Sequence, residues 1–214
     1  MFNGLPIVLK ASEVKAIIVG GGKVALRKAH ALLERGVAVR VVCTKPCEEI
    51  KQLAVDGRIE LIESEYERGH LNGANLAFAC TDDASTNRRV AEDARSIGIP
   101  VNVADDINLC TFIMPAVLKR GLIEISVDTS GASPALAVIL RDKIASVVTE
   151  EYAMLAELLR DVRGKLKAAI KEPERRTEAL REAIRRGILQ LLADGDAGGA
   201  LKLLNQVISE FVRQ

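Results

Sequence analysis

Three adjacent glycines that open into a helix-patterned run carry the most specific chemistry in this sequence. They stand in Ala16-Ile17-Ile18-Val19-Gly20-Gly21-Gly22-Lys23-Val24-Ala25-Leu26-Arg27-Lys28-Ala29-His30. The spacing Gly20-x-Gly22-x-x-Ala25 is a dinucleotide fingerprint in its G/A form. Gly20 permits a sharp turn, Gly22 lets the backbone approach a pyrophosphate, and Ala25 is small enough to seat the helix close to the strand. The free N–H groups that begin the helix, with the positive end of its dipole, then face an anion.

Oxidation by a nicotinamide dinucleotide moves a hydride and leaves a proton that needs a base. Candidate bases are carboxylates that follow strand-like runs: Asp105 first, with Asp106 and Asp82 behind it. Position alone favours a turn or cap role for Asp105. Other familiar arrangements are missing. Tyr66 and Tyr152 are followed four residues later by His70 and Ala156, so neither begins a Tyr-x-x-x-Lys pair. There is no GxSxG elbow, Walker A loop or HExxH helix.

The elements that must position these residues alternate strand and helix. Lys15–Val19 reads as a buried strand, and a helix from Val24 to Arg35 stops at Gly36. Ala38 to Cys43 is the next strand, and its end, Cys43-Thr44-Lys45, lacks the acid that often holds the ribose of NAD. Thr44 can bond a ribose hydroxyl and Lys45 can accept a 2′-phosphate, so the residues leave NAD and NADP open. Pro46 to Val55 reads as a short helix, with strands at Ile59–Ile62 and Leu76–Cys80. Asp83 caps a helix from Ala84 to Ile97, closed by Gly98 and Pro100. A strand at Val101–Ala104 ends in Asp105-Asp106. This alternation predicts a parallel sheet with helices on both faces, ligands binding beyond the carboxyl ends of its strands. Pro6–Lys10 reads as a leading edge strand.

Beyond Phe112–Pro115 the pattern changes. Leu122–Asp128 reads as a half-exposed strand, and Thr129–Pro134 as a small-residue loop whose Ser133 and Pro134 suit the cap and first position of a helix. That helix carries Leu136, Ile139, Leu140, Ile144, Val147 and Val148 on one stripe, which is expected to complete its core against another subunit. From Glu150 the chain reads as charged helices with breaks near Pro173 and Asp194–Gly199. The basic residues from Lys165 to Arg186 alternate with acids, so their default reading is a solvated face.

Composition excludes several classes. At 214 residues, 49% apolar and 28% charged, the chain is an ordinary globular one. A net charge of +1, no Trp and six other aromatics argue against a nucleic-acid partner. No run is long and apolar enough for a membrane partner, and Met1–Pro6 does not look like a signal peptide, so the expected location is cytoplasmic. Cys43, Cys47, Cys80 and Cys110 form no CxxC pair, so no metal site is expected. Cys43 and Cys80 end strand-like runs as small buried hydrophobes.

Several motifs occur in a recognisable order. They are Leu5-Pro6-Ile7, Val19–Lys28, Ala79-Cys80-Thr81-Asp82-Asp83, Asn87, Val101-Asn102-Val103-Ala104-Asp105, Phe112–Ala116 and Ser130–Pro134. Together, over residues 3–150, they closely resemble the precorrin-2 dehydrogenase family, the dehydrogenase and chelatase part of siroheme synthase. The resemblance implies NAD-dependent oxidation of precorrin-2 to sirohydrochlorin by a homodimer. It implies a cofactor site at Gly20, Gly21, Gly22, Lys23, Val24, Ala25, Thr44 and Lys45, reaching Thr81, Asp82 and Asn102. Asp105 matches the family's key aspartate, and Thr129, Ser130 and Ser133 fall in its substrate loop. Some members also insert ferrous iron, which these residues leave open. The basic C-terminal helices would then draw a polycarboxylate substrate toward the protein.

The expected architecture is α/β. It has a Rossmann-like parallel-sheet domain over residues 1–113, a small α+β dimerisation segment over 114–150 and a helical domain over 151–214. The chain ends where multifunctional relatives continue into a methyltransferase, so a stand-alone form is expected. The rival reading is a regulatory module that senses a nucleotide without turnover; it needs the glycines but neither Asp105 nor the Thr129–Pro134 loop.

Overall fold

A computed structural model gives the fold and describes residues 3–213. The chain divides into two compact units at Met114/Pro115, each with its own core. In the first, five short strands form one parallel sheet: β1 (Lys15–Val19), β2 (Ala38–Val42), β3 (Glu60–Ile62), β4 (Leu76–Ala79) and β5 (Val101–Val103). Their order is β3-β2-β1-β4-β5, with Ile18 opposite Val41 on one side and Phe78 on the other. Strand side chains alternate between two faces, and both faces are buried.

Ala16, Ile18, Val39, Val41 and Phe78 pack on one face beneath α1 (Lys23–Leu33) and α2 (Glu48–Val55). Ile17, Val19, Ala77, Ala79, Val101 and Val103 pack on the other beneath α3 (Ala84–Ser96). Helices thus cover both faces, as the alternation predicts. Local signals set the helix ends. Gly36, at φ 79°, closes α1, and its N–H donates to Leu33 O at 3.0 Å. Asp83 caps α3 by accepting from Ser85 N at 3.2 Å and Thr86 N at 2.9 Å. The Pro6–Lys10 segment is not a strand. It lies outside the sheet, whose edges are β3 and β5, and Leu5, Ile7, Val8 and Leu9 are exposed. A strand needs a partner ladder, and β-branched residues alone do not supply one.

The second unit holds an antiparallel pair, β6 (Ala116–Arg120) with β7 (Ile123–Val127), and α4 (Pro134–Val147) packs on it. β6 has no counterpart in the sequence reading, because Ala116–Arg120 lacks a clear alternation. Ser133 caps α4 by accepting from Leu136 N at 3.2 Å, with Pro134 at its first turn. Four further helices follow: α5 (Glu150–Ala169), α6 (Pro173–Arg185), α7 (Ile188–Ala193) and α8 (Ala197–Arg213). They bury Leu155, Val162, Ile170, Ala183, Ile188 and Leu204 in one core. Residues 115–150 and 151–213 belong to this one unit. The break between α6 and α7 falls at Gly187, at φ 90°, beyond the two breaks expected. No described helix is long and apolar enough to cross a membrane.

Hydrogen bonds hold the Asp83 carboxyl well below the usual aspartate range, first from the Thr86 and Ser85 hydroxyls and then from their N–H groups. A depressed native pKa stabilises above the unfolded value and is lost as pH falls through the native one. Asp83→Ala is therefore expected to lower Tm at neutral pH. The gap from the parent should narrow as pH drops below about 3.9, read from thermal melts across the acid range.

Candidate active site

The three glycines have three different reasons to lack a side chain. Gly20 turns at φ 131°, and a Cβ there would lie 2.7 Å from the Cys80 carbonyl carbon and closer still to its oxygen. Its N–H donates to Val42 O at 2.9 Å, so the end of β1 is fastened to both neighbouring strands. A Cβ on Gly21 would lie 2.6 Å from Lys45 O and 2.7 Å from Cys43 Sγ. Gly21 O accepts from Cys47 N at 2.9 Å. This packing seats the loop after β2 beside the glycine turn, with Thr44 and Lys45 exposed.

Gly22 is the N-cap of α1 in extended backbone, and a Cβ on it would meet nothing within 4 Å. No side chain caps this helix. The first turn of α1 is therefore uncapped, with open space beside Gly22, while Ala25 is wholly buried against the sheet. An open helix N-terminus with no Cβ before it fits the pyrophosphate of a dinucleotide.

At the ends of β4 and β5, side-chain amides lock the loops. Asn87 Oδ1 accepts from Thr81 N at 3.1 Å and Thr81 Oγ1 at 2.8 Å, and Asn87 Nδ2 donates to Thr81 O at 2.9 Å. Asn102 is buried, and its Nδ2 donates to Phe112 O at 3.2 Å. Val103 N donates to Cys110 Sγ at 3.2 Å. Asp106 caps the turn that follows, accepting from Asn108 N at 3.0 Å. Asp105 is placed differently. It sits in the left-handed region at φ 64°, exposed, with no bond to its carboxylate among the described residues.

Asp105 lines a cleft of about 710 Å³ together with Thr81, Asp82, Asn87 and Arg88. The structure thus brings Thr81, Asp82 and Asp105 to one cleft at the carboxyl edge. Gly20–Ala25, Thr44 and Lys45 gather at the adjoining edge, and the Gly20–Cys80 approach joins the two. Asn102 lies inside, with its amide nitrogen engaged by the chain. Thr129, Ser130 and Ser133 belong to the second unit. There Thr129 Oγ1 donates to Ser133 O at 3.0 Å and accepts from Ser133 N at 3.1 Å, while Ser133 Oγ caps α4. Ser130, at φ 53°, has a hydroxyl with no partner among the described residues.

Sequence pattern gives Asn87 and Lys28 no role of their own. Asn87 is the fourth residue of α3, a polar residue on the buried face of its helix, which is the one signal available. Two other groups are unsuited to neutral-pH chemistry. Burial pushes the Cys80 thiol up to about 11, so it stays protonated and poorly nucleophilic. Burial, and then donation to Asp93 Oδ2 at 3.1 Å, pushes the Tyr66 hydroxyl up as well. Among the described residues no group of three His, Cys, Asp or Glu side chains is placed to hold a metal ion.

A parallel sheet in this strand order, with a glycine turn and an uncapped helix at its carboxyl edge, defines a dinucleotide-binding α/β protein. The family described as "Putative NAD(P)-binding" matches residues 7–116, and the chain belongs to it. Over 210 residues it is 38% identical to the siroheme synthase of Methylococcus capsulatus, covering 98% of this chain and 44% of that protein. Over 202 residues it is 34% identical to the siroheme synthase of Psychrobacter cryohalolentis, covering 94% of this chain and 39% of that one. The chain thus spans less than half the length of these relatives. The solved structure of SirC, precorrin-2 dehydrogenase, shares the fold, with a TM-score of 0.72 at 22% identity over 95% of this chain and 98% of that one.

Because a Cβ on Gly22 meets open space, Gly22→Ala is expected to leave Tm nearly unchanged. It should weaken NAD binding on the order of tenfold, about 1.4 kcal/mol, by calorimetric titration. Gly20→Ala should instead lower Tm sharply, since backbone and not solvent occupies that position.

Proposed function

We propose that this chain is an NAD-dependent dehydrogenase that oxidises precorrin-2 to sirohydrochlorin on the route to siroheme. The observation that carries the reading is Asp105. It is a free carboxylate held in a left-handed turn on the wall of a cleft, at the edge where the glycine turn would hold a dinucleotide. The likeness to siroheme synthases and to a precorrin-2 dehydrogenase supports the substrate.

The oxidation removes two hydrogens from the tetrapyrrole, one as hydride and one as a proton. The nicotinamide, when bound, takes up the hydride. Asp105 accepts the proton and, being exposed, passes it to water. Gly22 and the first-turn N–H groups of Lys23 and Val24 would hold the pyrophosphate, Gly20, Gly21 and Ala25 would shape the turn and seat the helix behind it, and Thr44 would hold the ribose hydroxyls. NAD is the proposed cofactor, with NADP as the control because Lys45 stands beside Thr44. Thr81, held by Asn87, and Asp82 would border the nicotinamide end, and Asn102 supports the wall after β5 from within through the Phe112 carbonyl. Thr129 and Ser133 shape their loop, and the Ser130 hydroxyl is left for a substrate carboxylate.

We place the dinucleotide domain at residues 1–113, dimerisation at 114–150 and a helical domain at 151–214, in a cytoplasmic homodimer. Leu136, Val138, Ile139, Leu140 and Val147 are exposed on α4, an apolar surface suited to a second copy. Electrostatic capture by the C-terminal helices has less to draw on than the sequence suggests. Arg181, Arg185 and Arg186 pair with Glu178, Glu182 and Glu210, and Arg175 and Arg176 bond backbone carbonyls. Lys165, Lys167 and Lys171 remain exposed.

An anaerobic absorbance assay of precorrin-2 with NAD tests the reading, with sirohydrochlorin expected to form in step with NADH. Asp105→Asn tolerates the left-handed turn and should lower kcat by about 10²–10⁴ while nucleotide binding persists. A folded protein that binds nucleotide but turns over with neither NAD nor NADP would be a nucleotide sensor instead. Ferrous iron added to the product reports whether the same chain also makes siroheme. Ile139→Asp is expected to shift the sedimentation coefficient from dimer to monomer.

A further inference from the structure

Lys28 is a cation with no ion-pair partner among the described residues. It lies on α1 between the buried Ala25 and Ala29, on the face turned to the sheet. Its ammonium sits 5.6 Å from the centre of the Phe78 ring and donates to Met114 Sδ at 3.8 Å. Phe112 meets Phe78 edge-on, with ring centres 5.3 Å apart. Phe78 is wholly buried beneath, whereas Phe112 is half-buried and Met114 exposed, so the apolar surface that reaches solvent is that of Phe112 and Met114. Among the described residues no Asp or Glu lies within ion-pair distance of Lys28, and the neighbouring charge of Arg27 is of like sign.

An ammonium drawn from water costs free energy unless an anion meets it. A ring face and a thioether offset a fraction of that cost. Burial accordingly holds the Lys28 ammonium below the usual lysine range. We propose that Lys28 anchors a carboxylate of the anionic substrate, beside the apolar surface made by Phe112 and Met114 over the buried Phe78. This rests on the proposed reaction, whose substrate is a flat ring fringed with carboxylates. A cation at the rim of an apolar floor is complementary to such a molecule.

The anchor and the acid serve the same edge. The charges of Lys28 and Asp105 both reach the Cys80 thiol just after β4, the first lowering its pKa and the second raising it. The anion is a carboxylate of the substrate and not the dinucleotide pyrophosphate. Lys28 stands five residues into α1, about 7.5 Å along its axis from the uncapped first turn. Its ammonium also lies over Phe78 and not before that turn.

Limited acetylation of the intact wild-type chain, mapped by peptide mass spectrometry, tests this without turnover. Uroporphyrin, a stable tetrapyrrole octacarboxylate, is the substrate-side probe and NAD the cofactor-side probe. Uroporphyrin is expected to slow labelling of Lys28 by roughly tenfold, with NAD alone leaving it unchanged. Protection by NAD alone would assign Lys28 to the dinucleotide phosphates, and protection by neither would remove the site; both overturn the proposal. Lys28→Met should weaken uroporphyrin binding by roughly tenfold with NAD binding intact, and Lys28→Arg should restore most of it. Protection of Lys28 in a chain that fails to oxidise precorrin-2 would keep the anchor and discard the reaction. Turnover without protection would do the reverse.

Discussion

The close approach of Gly20 to the Cys80 carbonyl organises everything at the functional edge of the first unit. No side chain fits between them, so the turn leaving β1 lies directly on the end of β4. Gly21 repeats the device on the other side, against the loop that leaves β2. Three strand ends are thereby drawn into one place by backbone contact, which tolerates less adjustment than contact through flexible side chains. The first turn of α1 is then left facing outward with its N–H groups uncapped. An anion site follows from packing, before any charged side chain is considered.

Around that edge most polar groups are spent on holding loops. Asn87 ties down Thr81, Asn102 ties down Phe112, Cys110 receives the Val103 N–H, and Asp106 caps its own turn. Asp105 and Lys28 differ from these groups in that neither has an ion-pair partner among the described residues, Asp105 in a left-handed turn and Lys28 partly withdrawn from water. A left-handed backbone at a non-glycine residue carries a cost that the surrounding turn must overcome, and such positions gather at functional sites.

The second unit solves a different problem. Its four C-terminal helices bury a core of their own, and their arginines pair with local acids or bond carbonyls. Such pairs contribute little stability each, but they remove the arginines from any outward field. On α4 the balance runs the other way, with Ala137 its one residue buried among several exposed aliphatic ones. This helix hides little of its apolar surface within its own chain.

Much of this was legible in the sequence because it is local. The glycine spacing, the alternation of strands and helices, the Asp83 and Ser133-Pro134 caps and the Gly36 stop each depend on residues a few positions apart. The parallel sheet and its two buried faces followed from hydrophobic runs without needing particular contacts, whereas the strand order β3-β2-β1-β4-β5 came from the tertiary structure. Pro6–Lys10 misled because its β-branched residues are local, whereas a strand requires a ladder partner elsewhere. β6 was missed for the converse reason: its partner β7 makes it a strand, not its own pattern. Tertiary structure alone decided which polar groups remain free. Asp105 and Asp106 are adjacent, chemically identical and both on the cleft wall, yet Asp106 caps a turn while the Asp105 carboxylate has no partner among the described residues. Lys28 is one of many lysines until Phe78 and Met114, 50 and 86 residues away, are folded beneath it. Availability for chemistry depends on which partners three-dimensional packing supplies or withholds, and those partners lie far apart in the chain.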